Sequence, residues 1–394
     1  MNYNNRFCLL ALLGCSMLFV FSGCGGEPSE ATAEEGSVED TFQTYTLDID
    51  KSDIPIAEVI DEVELMYLKE TEESLLSYAY RISTVGDKLI FPGGTKGDVY
   101  IYTTSGEFIN RFNRNGDGPG EYTAIQSTWV NGDSIMIYDN LKQVLHWYDY
   151  SGNELKNLSF PHRPSHIYPY KNGYVLDMTF SRINDSLRYR LLTVDSDLAS
   201  RDMLLPYEKE IPFPISTTVN SFQKVQGKLI YKSVFADTTY LLDGEGVRPY
   251  YSIDFGDKFL WNDESMYENG QAAMKAIPES GKVWVFNASV GPEHIYLLYN
   301  TSFRDFAYML VDRRTGSYRK LDMARNVEES YSLSPISWQG DWLLCSISSS
   351  DIESFLGELS EEQWTMRDGT SLEKIESSEN PVLMWVKFKE LSEQ

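Results

Sequence analysis

The chain has 394 residues and a formal net charge of −25, from 59 acidic against 34 basic residues. That balance argues against a nucleic-acid partner, which needs a basic footprint, and says nothing about the fold. The length suits one large β domain or two ordinary ones.

The first element is an export signal. Arg6 is the only charged residue before Cys24, and residues 7–22 are almost wholly apolar or small. This charged-then-apolar-then-small layout is that of a signal peptide, too short for a spanning helix. Phe21-Ser22-Gly23-Cys24 resembles the lipobox of bacterial lipoproteins. That resemblance implies cleavage before Cys24, lipid on its sulfur and new amino group, and an anchor in the outer membrane. More than one acyl chain makes such an anchor stable. The cell surface is the expected side, with a periplasm-facing anchor as the alternative. Residues 1–23 are thus assigned to the signal, and their loss moves the net charge from −25 to −26. Residues 24–42 carry six acids and no base. With so little apolar surface to offset ordering entropy, they read as a flexible tether.

From residue 43 the chain is a series of short alternating apolar runs between Gly, Asn and Asp turns, the pattern of many short strands. A Gly-Asp turn precedes an alternating strand at Gly86 and again at Gly132, 46 residues apart. A Ser-Gly hairpin turn recurs at Gly106 and Gly152, also 46 residues apart. Two markers at one period define a repeat. Four further units open near Lys171, Val225, Pro292 and Trp338. Six units of about four strands predict an all-β fold, a six-bladed β-propeller with short helical insertions, over residues 43–394. The insertions are expected at residues 262–276 and 351–367, with an early helix beginning at Ile56. The final strand, 382–389, is expected to close the ring with N-terminal residues.

The GDGPGEY segment ending at Tyr122 resembles one found in the six-bladed β-propeller lipoproteins common in Bacteroidota, relatives in fold of the NHL and TolB-type propellers. Ala236-DTTYLL, Tyr251-SIDFG, the closing Asn380-PVLMWVKFK and the early Val63-ELMYLKE are similar to further segments of that family, in the same order. Leu68-Lys69-Glu70 departs from it at an edge strand. The resemblance implies fold and location but no particular activity, since propellers host many.

The search for chemistry yields little. The GDGPGEY loop lacks the GK[ST] ending and following helix of a phosphate cradle, and reads as a blade connection. Pro164 between His162 and His166 prevents the helix that would align both rings on a metal. No metal or cofactor is implied. Cys345 is expected as a buried core thiol without a disulfide partner. Trp129, Trp147, Tyr168 and Tyr170 could line a sugar-binding mouth, although strand aromatics mostly pack between blades. Arg163 and Arg182, near the third blade's connections, are the polar candidates. The expected function is a non-catalytic binding or scaffold propeller for a glycan, peptide or partner protein. The alternative is a carbohydrate-active hydrolase or lyase using carboxylates from several blades at the channel mouth.

Overall fold

The computed structural model describes residues 41–93, 97–181, 183, 188–210, 213, 220–323, 331–367 and 369–392. These form six antiparallel sheets that follow one another along the chain as the blades of a propeller. Blade 1 comprises Ser83–Val85, Lys88–Gly93, Asp98–Thr103 and Phe108–Asn113, and blade 2 runs from Ser127–Asn131 to Glu154–Ser159. Blade 3 comprises His166–Tyr170, Gly173–Asp177, Tyr189–Asp195 and Ser200–Pro206. Blade 4 spans Phe222–Val225 to Gly246–Asp254, and blade 5 spans Val285–Val290 to Tyr318–Asp322. Blade 6 takes Ser334–Gln339, Trp342–Ile347 and Val382–Phe388 from the C-terminal part, and its fourth strand, Ile60–Met66, from the N-terminal part.

The N-terminal segment runs along the outer rim. Gln43–Thr46 adds a parallel strand to blade 4 and Asp53–Pro55 adds one to blade 5 before Ile60–Met66 enters blade 6. Closure by Val382–Phe388 against Ile60–Met66 follows the expectation, and it satisfies backbone groups that an open ring would leave at a free edge. The early helix from Ile56 is corrected: a single 3₁₀ turn, Ile56–Glu58, leads directly into this strand. The insertion at 262–276 is helical as expected, in Ser265–Glu268 and Gly270–Glu279. The one at 351–367 is mixed, holding helix Ile352–Leu356 and strand Trp364–Met366.

The period has a physical origin in the outer hairpins. Gly106 and Gly152 adopt φ of +84° and +79°, a region open mainly to glycine. Each also touches the preceding blade. A Cβ on Gly106 would lie 2.0 Å from the Tyr67 carbonyl oxygen, and one on Gly152 would lie 2.5 Å from the Phe112 ring.

The core is divided into sectors, one between each pair of neighbouring blades. Ile90, Ile101 and Phe112 of blade 1 meet Ile135, Ile137 and Tyr148 of blade 2, for example. Burial of such side chains contributes about 1.5–3 kcal/mol each. The sector between blades 3 and 4 is the smallest, with Val175, Leu191, Phe222, Leu229, Tyr231 and Leu242. Polar staples join blades where the inner strands begin. The Arg81 guanidinium donates to the Gln126 carbonyl at 2.7 Å, and Gln223 bonds Ala288 O and Val290 N across blades 4 and 5.

Candidate functional site

In a four-stranded antiparallel blade, the second and fourth strands end on the face where the first begins. The connections between blades therefore gather on one face, and the helical insertion after blade 4 belongs to it. On this face the small apolar sector between blades 3 and 4 is completed by a polar seam.

The seam is organised by Asp177, which ends the second strand of blade 3 and is 3% exposed. Its Oδ1 accepts from Thr179 N at 2.9 Å, Thr179 Oγ1 at 2.6 Å and Tyr231 OH at 3.1 Å. Its Oδ2 accepts from Ser221 Oγ at 2.5 Å. Burial pushes this carboxyl up, but His166 nearby and the hydroxyls of Ser221 and Thr179 outweigh burial and hold it below its ordinary range. The partners of His166 define a directed chain: Gln126 Nε2 faces His166 Nε2 at 3.2 Å, and His166 Nδ1 faces Ser221 Oγ at 3.0 Å. With the amide donating to Nε2, the Nδ1–H donates to Ser221, which donates to Asp177. Blades 2, 3 and 4 are thereby fastened at one place.

Above the seam opens a cleft lined by Thr179, Arg190, Tyr207, Lys209, Phe235 and Tyr267. Arg190, on the third strand of blade 3, donates from one terminal nitrogen to Ser233 Oγ at 2.6 Å and lies 5.6 Å from the centre of the Tyr207 ring. No carboxylate of the described residues pairs with it. Lys209, from the connection between blades 3 and 4, is held by Glu264 Oε1 at 2.5 Å and lies 5.9 Å from the Tyr267 ring centre. Phe235, Trp261 and Tyr267 form the aromatic backing, with ring centres 4.6 and 5.2 Å apart in succession. The insertion supplies Trp261, Glu264 and Tyr267, and its helix is fixed by Asn269, whose side chain accepts from Gln271 N and Ala272 N. Its Ala273 and Ile277 pack into the sector between blades 4 and 5.

Beside the cleft, the Lys232 ammonium donates to the carbonyls of Ser233, Val234 and Phe286 at 3.3, 3.4 and 3.0 Å. Burial pulls it down to about 7, against partial relief from Asp237.

The residues singled out from sequence are not gathered into one site. Trp147 is buried on the third strand of blade 2 with Lys156 Nζ 4.3 Å from its ring centre. Trp129 is buried against Tyr174. Tyr168 and Tyr170 lie on the inner strand of blade 3; Tyr168 packs on Phe222, and Tyr170 OH donates to the Asp243 carbonyl at 2.6 Å. Arg163 is on the connection face and its Nε donates to Asn140 O at 3.2 Å. Arg182 and Cys24 lie outside the described residues. The cleft residues escape a sequence reading because they come from one strand and four separate connections and no repeat marks them. The signal available was the insertion, at residues 262–276, on a face where insertions collect.

The GDGPGEY loop supplies its own anion. Gly118 N donates to Glu121 Oε2 at 2.7 Å, and Lys142 Nζ donates to Gly116 O and Glu121 O at 2.7 and 2.9 Å. A Cβ on Gly116 would lie 2.1 Å from the same carboxylate oxygen. The loop joins blades 1 and 2. Cys345 is buried and free. Among the described residues no cluster of His, Cys, Asp or Glu could hold a metal ion, and no helix is long and apolar enough to cross a membrane.

A family model described as "Domain of unknown function (DUF4934)" matches residues 44–387. No curated protein matches the chain. Among solved structures, a Bacteroides fragilis protein described as exported superposes with a TM-score of 0.66 at 16% identity, over 89% of this chain and 100% of that one. A member of the DUF4221 family from Bacteroides vulgatus gives a TM-score of 0.48 at 12% identity, over 84% and 98% of the two chains. Streptogramin B lyase gives 0.39 at 11% identity, over 74% and 84%.

Proposed function

The chain belongs to the DUF4934 family, and we propose that it is a non-catalytic binding propeller, tethered to the cell envelope through lipid on Cys24, which takes a small polar ligand in the cleft between blades 3 and 4. The observation that carries this reading is the make-up of the cleft. It offers a prepositioned guanidinium, a lysine and aromatic faces, the donors and stacking surfaces that orient a ligand. Thr179, its hydroxyl group, already donates to Asp177. The envelope location draws on the signal-like residues 7–22 and on the exported description of the Bacteroides fragilis structure.

Two experiments test it. The purified full-length chain, in detergent, is applied to arrays of glycans and peptides. Retention of an unchanged ligand, weakened at least tenfold by Tyr207→Ala, is the expected result. Turnover of the bound ligand, or no retention at all, contradicts it. Metabolic labelling with a fatty-acid analogue should mark the native protein and leave Cys24→Ala unmarked; label persisting in that variant would remove the anchor from the account.

A further inference from the structure

We infer that the ligand of this cleft is an acidic sugar unit whose single carboxylate is received by Arg190 and Lys209; this rests on the binding reading above. Arg190 is restrained on two sides, by its bond to Ser233 and by the Tyr207 ring. A guanidinium restrained in this way presents a planar fork matched to a carboxylate and loses little further freedom on binding one. This guanidinium has no carboxylate in direct contact among the described residues; Ser233 and Thr179 link it to Asp177, which leaves its remaining N–H donors open to an incoming carboxylate. Among the described residues the ion-pair partner of Lys209 is Glu264, and both side chains are exposed, at 48% and 78%. Such pairs contribute about 0–1 kcal/mol, so the ammonium can exchange Glu264 for a ligand at small cost.

The remaining walls fix what carries the carboxylate. Tyr207, Phe235 and Tyr267 are apolar faces with two hydroxyl tips, suited to a ring that is apolar on its face and polar at its edge. The cleft is small and open to solvent, which favours one sugar unit at its mouth over an enclosed chain segment. Its surroundings set the charge of the ligand. Glu264 already faces Lys209, on a molecule of net charge −25. A polyanion would be repelled by the molecule's net charge, whereas one carboxylate meets two cations. Uronates and sialates share this chemistry.

The test is titration of the full-length chain with glucuronate and with N-acetylneuraminate, against glucose and N-acetylmannosamine as uncharged counterparts. At least one acid should bind, about tenfold or more tighter than its counterpart, and the pair that responds separates uronate from sialate. Loss of a hydrogen-bonded charge partner predicts that Arg190→Gln weakens the acid about 10–100-fold. Arg190→Lys, which keeps charge but not the fork, should fall between. Lys209→Gln should weaken binding several-fold and reduce its salt dependence. Melting temperatures identify any variant that fails to fold, and Lys209→Gln, at an exposed position, then carries the test. Neutral sugars binding as tightly as acids, or folded variants binding the acid as the native chain does, would overturn the acidic-sugar inference and leave the binding reading standing. No binding by any of the four sugars, with none on the arrays, would overturn both.

Discussion

Lys232 is a cation that the fold accommodates at a cost. Its three N–H groups find three carbonyl acceptors, yet burial still pulls it down to about 7 from an ordinary value of 10.5. Between those values the unfolded chain holds a proton that the folded chain has released. Stability on this account therefore rises with pH from about 7 upward. Above about 8.5 a second group opposes it, because burial pushes the Cys345 thiol up while the unfolded thiol ionises. The clean window is pH 7 to 8.5. Denaturant unfolding there should show the native chain gaining stability with pH and Lys232→Met losing that slope. Parallel curves would mean that Lys232 is not depressed. Asp177 gives a slope of the same sign at lower pH: its folded value is lowered, so its contribution is complete above about pH 4 and is lost as pH falls through that lowered value.

At the scale of the element, what could be read from sequence is what repeats. The 46-residue spacing of Gly106 and Gly152 was legible because backbone conformation and contact with the preceding blade both demand glycine there. The order of the blades and the closing strand followed from the same turns. Ile56-AEVIDEVEL misleads for a physical reason. Ile56, Val59, Ile60 and Val63 have helical spacing, and all four are buried. The decisive factor is the unpaired edge of Val382–Phe388, which recruits residues 60–66 as a strand with Glu64 between the buried Val63 and Leu65. Tertiary pairing overrides local propensity in this way. Gln43–Thr46 and Asp53–Pro55 are too short to show any period. The cleft was illegible for another reason. Arg190 lies on a strand, Lys209 and Tyr267 on two different connections, and only the ring brings them together. The aromatics visible in sequence, Trp129 and Trp147 among them, are at blade interfaces, where alternation in a two-sided buried sheet puts them.

At the scale of the whole molecule, the six sectors are unequal. Five are filled mainly by apolar side chains, while the one between blades 3 and 4 is small and finished by the Asp177 seam. Buried polar networks are stable only when each member is satisfied, and here His166, Ser221, Thr179 and Tyr231 satisfy Asp177 together. The same sector carries the cleft, so the proposed ligand would lie between two blades on the connection face rather than in the central channel. Hydrogen–deuterium exchange of the full-length chain, with and without a glycan retained on the arrays, tests this most directly. Bound ligand should slow exchange in peptides covering residues 177–181, 188–190, 207–210 and 264–267. Slowing confined to the inner strands at 83–85, 127–131, 285–290 and 334–339, with those peptides unchanged, would place the ligand in the channel and contradict the account.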